Sequence, residues 1–224
     1  MESFSYKVSD LITDVRNKFG DSGSVQVTDS MLIQWLNLAA HELATQTSWL
    51  QKVAQTALIA GQSAYDMTAI FATTQVRSIS QIYVDGAFVA ILPWQDYTRR
   101  AASSDLPDVD GSSATYMASL YGDTINLYPT PSSTVANGLV VYYDAFPDKV
   151  TDPSQPCPVP DRLFQAADDM VFAQALELDE NFDASQMKLG HSQDRVKIQF
   201  AREADNPDDV YAGITDTTNE MYGV

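Results

Sequence analysis

The hydrophobic periodicity of this chain changes twice, and this change constrains the fold more than any other feature. Up to about residue 50, apolar residues recur at the spacing of an amphipathic helix. From there to about residue 146 the chain has short β-branched and aromatic runs separated by turn dipeptides, which are typical of antiparallel strands. Helical spacing returns near residue 160. We therefore predict an α+β fold, a helical bundle of about four helices (two N-terminal, two C-terminal) with an inserted antiparallel β-region and an extended C-terminal tail.

The N-terminal segment has start and stop signals for two helices. Ser9 is placed to cap a helix that runs to about Phe19, and Gly20 supplies its end. Thr28 is placed to cap a second helix that runs to about Ser48. Its apolar residues at i, i+3, i+4, i+7 and i+11 form one stripe: Leu32, Trp35, Leu36, Ala39 and Leu43. Both helices therefore have a face to bury.

The middle of the chain is organised by turn residues. Asp85-Gly86 predicts a tight hairpin, Gly122-Asp123 a second one, and Asn137-Gly138 the turn before the last strand. Pro93 opens a short helix to about Ala101. The predicted strands cover residues 52–59, 63–67, 76–84, 88–92, 116–121, 124–128 and 139–143.

The chain divides into segments of different composition. Four prolines after Pro147 make an extended connector. Helices are predicted from Asp161 to about Leu178 and from Asp183 to about Ala204. The predicted organisation is a helical bundle of residues 1–50 and 160–204, a β-region of 51–146, a connector of 147–159 and an acidic tail of 205–224.

The charge, the hydropathy pattern and the cysteine content of the chain exclude several classes of protein. Thirty acidic and thirteen basic residues leave a net charge of −17, and residues 150–224 alone carry 15 acids and five bases. Such a surface repels phosphate backbones, so we do not expect a general nucleic-acid binder. No run of about 18 apolar residues predicts a membrane span, and the N-terminus lacks a signal-peptide pattern. The one cysteine, Cys157, cannot form an internal disulfide, which fits a reducing compartment.

Motifs for metal or nucleophilic chemistry are incomplete. The sequence from His41 to Thr45 lacks the second histidine of a zinc-protease helix, and a chain with two histidines and one cysteine predicts no metal site. The stretch Gly20-Asp21-Ser22-Gly23 resembles a serine-protease nucleophile loop, but both histidines lie downstream of it, so we interpret it as a helix end. The acids of residues 105–110 do not have EF-hand spacing, and a loosely bound cation there stays open. We predict no cofactor and no catalytic residues.

Two other classes of function stay open at this point. One is a glycan hydrolase that uses a pair of carboxylates, for which Asp108 and Asp110 are candidates. The other is a carbohydrate- or receptor-binding tail module. Its candidate aromatic residues are Tyr83, Trp94, Tyr97 and Tyr116, although large aromatic side chains are more often part of a core.

The order and spacing of several short motifs over about residues 5–204 carry a family resemblance. They are Asp10-Leu11-Ile12, Phe19-Gly20-Asp21, Thr28-Asp29-Ser30, Trp35-Leu36-Asn37-Leu38-Ala39, Gly61-Gln62 with Tyr65, Leu127-Tyr128-Pro129-Thr130-Pro131 and Phe146-Pro147. Together they resemble the phage head-to-tail connector adaptor proteins, which form the ring beneath the portal of tailed phages. The acidic tail matches no motif of that family.

The resemblance implies a structural role in the virion rather than an enzyme. It implies a homo-oligomeric ring, typically of twelve copies, that joins the portal protein to the tail and lines the DNA channel. The helical bundle is then the ring wall, and the β-region meets tail nozzle or fibre proteins. Double-stranded DNA passes through without specific binding, and no membrane is involved. The implied location is the head-tail junction, with the host cytoplasm during assembly.

The C-terminal tail is the predicted portal-binding segment. It has five acids, no bases and too few apolar residues to fold alone, so it is expected to order on a partner. Aromatic residues and methionine dominate buried contacts at interfaces. The candidate anchors are Tyr211, Ile214, Met221 and Tyr222.

Overall fold

The structure is a computed structural model that describes residues 3–21, 26–106, 108–109, 112–113 and 115–205. Its helices are α1 (Val8–Phe19), α2 (Asp29–Gln46), α3 (Met67–Phe71), α4 (Trp94–Ser103), α5 (Asp161–Leu178) and α6 (Phe182–Asp205). Its strands are β1 (Gln51–Leu58), β2 (Ala64–Asp66), β3 (Val76–Val84), β4 (Ala87–Ile91), β5 (Asp108–Val109), β6 (Ser112–Ser113), β7 (Met117–Tyr121), β8 (Thr124–Tyr128) and β9 (Val135–Ala145). Within these ranges no helix is both long enough and apolar enough to cross a membrane.

The chain divides into two compact units. One, the helical unit, comprises the described residues of Met1–Leu43 and Lys149–Val224, and the other, the β-unit, is Ala44–Asp148. The predicted α+β class is confirmed.

The ends of the two N-terminal helices follow local backbone chemistry. The Lys7 N–H, just before α1, donates a 2.8 Å hydrogen bond to the Asp10 carboxylate, so the predicted cap at Ser9 is wrong by two positions. Gly20 ends α1 in the left-handed conformation at φ 81°, as predicted. Thr28 precedes α2, and its hydroxyl accepts a hydrogen bond from the Met31 N–H, which confirms the second cap.

The C-terminal helices pack on each other, and α5 also packs on α1. Phe164, Ala167 and Val171 of α5 are buried as predicted, whereas Leu178 is half exposed because the helix ends there. The Ser192 hydroxyl of α6 donates a 3.0 Å hydrogen bond to the Ala166 carbonyl of α5. The packing of all four long helices in one bundle is not confirmed and stays a prediction.

In the β-unit, seven described strands form one curled sheet with the order β1-β9-β3-β4-β7-β8-β2. Consecutive hairpins are antiparallel, and the Asp85-Gly86 turn has positive φ at both residues, as a tight hairpin requires. The β4–β7 pair is parallel, so the predicted purely antiparallel region is corrected at this pair. Helix α4 connects these strands, and a parallel pair needs such a crossover.

The two faces of the sheet differ in burial. The inner face holds the core, to which every strand of the sheet and α3 contribute, with residues such as Leu58, Tyr65, Ile82 and Val141. On the outer face, α4 packs against β7, where Met117 and Ser119 are fully buried. The other half of the outer face, on β1, β9, β3 and β4, keeps exposed side chains.

Sequence patterns miss some short or irregular elements of the β-unit. Asn137-Gly138 is not a turn before the last strand: it lies inside β9 as an irregularity, where the pairing with β1 shifts register between Thr56 and Leu58. Helix α3 has only five residues, too few for a periodic signal. The pair β5 and β6 lies between α4 and β7, where the sequence predicts no strand.

Candidate interaction surfaces

The four predicted portal anchors, Tyr211, Ile214, Met221 and Tyr222, lie outside the described residues. Their assignment stays a prediction. The candidate sites within the described ranges are the N-terminal arm, the charged cluster on α5 and one face of the β-unit.

The N-terminal arm (residues 3–7) lies along the proline-rich connector. The Ser5 N–H and hydroxyl both donate to the Asp161 carboxylate, at 2.8 and 2.6 Å, while the Asp161 N–H donates to the Ser3 carbonyl. Hydrogen bonds from the Ser3 and Ser5 hydroxyls lower the pKa of Asp161. The Tyr6 ring stacks on Phe164 with 4.1 Å between centroids. The arm therefore ties the start of the chain to the start of α5.

The connector is also held to α2. The Asn37 amide donates to the Val150 carbonyl at 2.8 Å, and the Val150 N–H donates back to the Asn37 side-chain oxygen at 2.9 Å. One amide thus satisfies both backbone groups of Val150, as a neighbouring strand does. This gives Asn37 a structural role.

Two adjacent aspartates on α5 form the most buried charged cluster among the described residues. Asp168 and Asp169 expose 0 % and 3 % of their surface. Lys18 of α1 pairs with Asp168, and Arg195 of α6 donates a 2.7 Å hydrogen bond to Asp169. Lys188 of α6 lies 3.6 Å from the other Asp169 oxygen. The cluster therefore joins three helices through charge-assisted contacts.

The Asp168 carboxylate is only partly satisfied. Its Oδ1 has no hydrogen-bond partner within the described part of the chain. Burial raises the pKa of this carboxyl, against the effect of the Lys18 ammonium. Both aspartates are nearly fully buried and are paired with residues of α1 and α6, so the cluster holds helices together and is not an open site.

The outer face of the β-unit carries an apolar surface, which we call the outer aromatic patch (Val53, Tyr83, Phe88, Val140 and Tyr142). Residues paired across antiparallel strands point to the same face. Val53 pairs with Tyr142, Tyr142 and Val140 alternate along β9, Val140 pairs with Tyr83, and Tyr83 pairs with Phe88. The Tyr83 ring lies 5.7 Å from that of Tyr142 and 5.8 Å from that of Phe88, both edge-to-face. The patch therefore spans β1, β9, β3 and β4 without a break.

The aromatic residues named for a carbohydrate-binding module do not form one exposed platform. Tyr97 is buried and stacks on Trp94, which is half-buried and stacks in turn on the exposed Tyr121. Tyr116 packs against the core. Of the four, Tyr83 belongs to the outer aromatic patch.

The other sequence candidates have structural surroundings. Asp105 pairs with Arg100 at 3.3 Å, while the side chains of Asp108 and Asp110 lie outside what the structure describes. Cys157 is buried, and burial raises the pKa of its thiol to about 11. Among the described residues no three His, Cys, Asp or Glu side chains are grouped to hold a metal ion.

A cleft of about 380 Å³ in the β-unit is lined by α3 and by neighbouring strands. Its walls are apolar at Phe71, Ile79 and Leu120 and basic at Arg77. The charge of Arg77 is paired within the chain, because its guanidinium donates a 2.8 Å hydrogen bond to the buried Asp144 carboxylate. The cleft thus offers apolar surface, hydroxyl groups and one acidic residue, Asp123.

Comparison with known proteins identifies the chain at the level of a family. The family model described as SU10 adaptor protein matches residues 6–213, which is most of the chain. No individual curated protein matches it.

Proposed function

This chain belongs to the SU10 adaptor protein family of phage structural adaptors, and on that premise we propose that its copies form a ring that joins the portal protein to the tail and lines the DNA channel. The family match over most of the chain carries the proposal. The proposed ring has twelve copies. The family is not an enzyme family, so the hydrolase interpretation loses its basis.

The distribution of charge supports a division of labour between the two units. Residues 44–148 carry nine acids and four bases, whereas the rest of the chain carries 21 acids and nine bases. The helical unit therefore has the larger negative charge, −12 against −5. An acidic wall repels the DNA backbone and keeps the genome from binding to the channel. We accordingly assign the ring wall to the helical unit.

The proposed partners follow from the same division. The β-unit is assigned to the tail nozzle or fibre proteins, and the C-terminal residues Tyr211, Ile214, Met221 and Tyr222 to the portal. The proposed location is the head-tail junction of the virion, reached after assembly in the host cytoplasm.

Electron microscopy of the purified chain with its portal protein tests the ring. We expect closed rings docked on one end of the portal. In genome-filled particles we expect density for DNA in the channel that the helical units line. A chain that stays monomeric in the presence of the portal contradicts the proposal. Rings in which the β-unit faces the lumen contradict the assignment of the wall.

A test of the tail anchors needs only the same assay. Truncation after Asp205 is expected to abolish docking on the portal while the remaining chain keeps its circular dichroism spectrum. Normal docking of the truncated chain contradicts the assignment of these four residues.

A further inference from the structure

The outer aromatic patch has the properties of a protein-protein contact. Three of its side chains are substantially exposed, Val53 by 50 %, Phe88 by 43 % and Tyr142 by 38 %. Val53 of β1 lies beside Tyr142 of β9, and Tyr83 of β3 lies between Tyr142 and Phe88 of β4. A contiguous exposed apolar surface with aromatic residues at its centre marks interaction sites.

The patch is also free of charge on a strongly acidic chain. Val140 and Tyr142 each have one cross-strand neighbour that is not a member of the patch. These neighbours are glutamines, Gln55 of β1 beside Val140 and Gln81 of β3 beside Tyr142. At the next position along this face, Asp144 is buried and neutralised by Arg77. The patch therefore combines apolar contact area with neutral hydrogen-bonding groups at its border on β1 and β3, and the exposed Asp85 lies in the turn at its β3–β4 end.

Neutrality favours one occupant over others. A foreign partner can use the charge of −17 by presenting a basic surface, because complementary potentials speed association. A second copy of the chain cannot, because its own surface is equally acidic and like charges repel. Repulsion between two copies is therefore weakest where the surfaces that meet lack charge.

We propose that the outer aromatic patch is the surface through which one copy contacts its neighbour in the ring. This inference rests on the proposed ring, and it leaves the rest of the β-unit surface to the proposed tail partners. In a closed ring the contact is heterologous, so the patch meets a different surface of the neighbouring copy. Strand β1, which carries Val53, is an edge strand of the sheet among the described residues, so its outer backbone groups can pair with the same neighbour.

Photo-cross-linking identifies the occupant directly. p-Benzoylphenylalanine in place of Tyr142 keeps an aromatic side chain on the patch, and the same group in place of Ile59, 43 % exposed in the β-unit after β1, is the matched control. In rings assembled on the portal we expect a cross-linked dimer of the chain from position 142 and none from position 59. A cross-link from position 142 to the portal or to a tail protein overturns the proposal, as does the absence of a chain dimer from intact rings.

A charge substitution provides the second measurement. Val53→Asp adds a negative charge to the patch, and Ile59→Asp adds the same charge outside it. We expect Val53→Asp to raise the concentration needed for half-maximal ring assembly about tenfold or more, and Ile59→Asp to leave it within about twofold. Equal assembly of both variants overturns the patch as the contact and leaves the ring intact. If the unsubstituted chain forms no ring, the proposed function fails first and the inference with it.

Discussion

Two glycines in this chain have opposite steric surroundings. A Cβ on Gly138 would lie 2.8 Å from the Val135 Cβ and 2.9 Å from the Leu58 Cβ, whereas one on Gly190 meets no atom within 4 Å. Gly138 lies where β9 departs from regular pairing with β1, and Gly190 lies in the middle of α6. The same substitution therefore has opposite expected effects.

We expect Gly138→Ala to lower the free energy of unfolding by about 1–3 kcal/mol, because both neighbouring Cβ atoms belong to the folded sheet and must shift. Gly190→Ala is expected to raise it by about 0.5–1 kcal/mol, because alanine is the better helix former. Urea denaturation of both variants measures the two changes. An unchanged denaturation midpoint for Gly138→Ala would contradict the close approach of Val135 and Leu58 to Gly138.

The buried thiol of Cys157 is expected to be unreactive in the folded chain. Burial raises its pKa from 9.0 to about 11. Because the pKa is about two units higher, the thiolate fraction at pH 8 is about a hundredfold lower, before any loss of access to the reagent is counted. The rate of reaction with a disulfide reagent at pH 8, measured with and without denaturant, checks this. The native rate is expected to rise with pH up to about 11, and equal rates in the two conditions would contradict the burial.

At the scale of elements, the Asp169 pairs fasten α6 to α5. Asp169→Ala removes a nearly buried carboxylate and leaves Arg195 and Lys188 without it, although both can reach water. We expect a loss of about 1–3 kcal/mol in the free energy of unfolding. Asp194→Ala, which removes an exposed pair with Lys197, is the matched control and is expected to cost under about 0.5 kcal/mol. Similar losses for both variants would contradict the role of burial.

The attachment of Ser5 to the Asp161 carboxylate is expected to be lost at low pH, while the Asp161 N–H bond to the Ser3 carbonyl and the Tyr6–Phe164 stack do not depend on that charge. The folded-state pKa of Asp161 lies below its ordinary value of 3.8. The attachment is therefore complete above pH 3.8 and is lost as the pH falls through the lower folded value. The NMR shift of the Ser5 amide, followed from pH 6 to pH 2, reports the release.

The matched variants for the arm are two aspartates with lowered pKa values. Asp161→Ala is expected to release Ser5 at every pH, since both of its hydrogen bonds end on that carboxylate. Asp152→Ala removes the acceptor for Ser154 in the connector and is expected to leave the Ser5 amide unchanged. A Ser5 amide shift that is independent of pH in the unsubstituted chain would contradict the hydrogen bonds between Ser5 and the Asp161 carboxylate.

Long elements are predictable from the sequence, and irregular ones are not. The stripe of α2 and the Asp85-Gly86 hairpin follow from local periodicity and turn chemistry. The structure confirms the hairpin and buries every stripe residue except Trp35, which is half-buried. The register shift at Gly138 depends on the partner strand β1, about 80 residues away, so local rules predict a turn there. The parallel β4–β7 pair likewise depends on tertiary packing, since sequence periodicity does not specify which strands become neighbours.

At the scale of the whole molecule, the sequence predicts the class of function better than the surface that performs it. The motif order indicates the adaptor family, and the family match confirms it. The outer aromatic patch could not be predicted, because its members lie on four strands and meet only through the sheet register. Among its members the sequence indicates only Tyr83 as a candidate, since alternation in a strand does not say which face of the sheet is covered.

The net charge of −17 gives the proposed ring contact a characteristic dependence on salt. If neighbouring copies meet through a neutral apolar patch, the remaining electrostatic contribution to their association is repulsion between acidic surfaces. Salt screens that repulsion, with a screening length of about 10 Å at 0.1 M. Association between copies should therefore strengthen, or at least hold, as salt rises.

We expect the yield of chain dimer cross-linked from position 142 to be at least as high at 500 mM NaCl as at 50 mM NaCl. The yield is measured only on rings that remain docked on the portal at each salt concentration, so that it reports the contact between copies and not the docking, which has its own salt dependence. An interface held by ion pairs behaves in the opposite way, because screening weakens attraction between exposed charges. A dimer yield that falls steeply with salt would show that charged groups hold the copies together, and would contradict the assignment of the neutral patch.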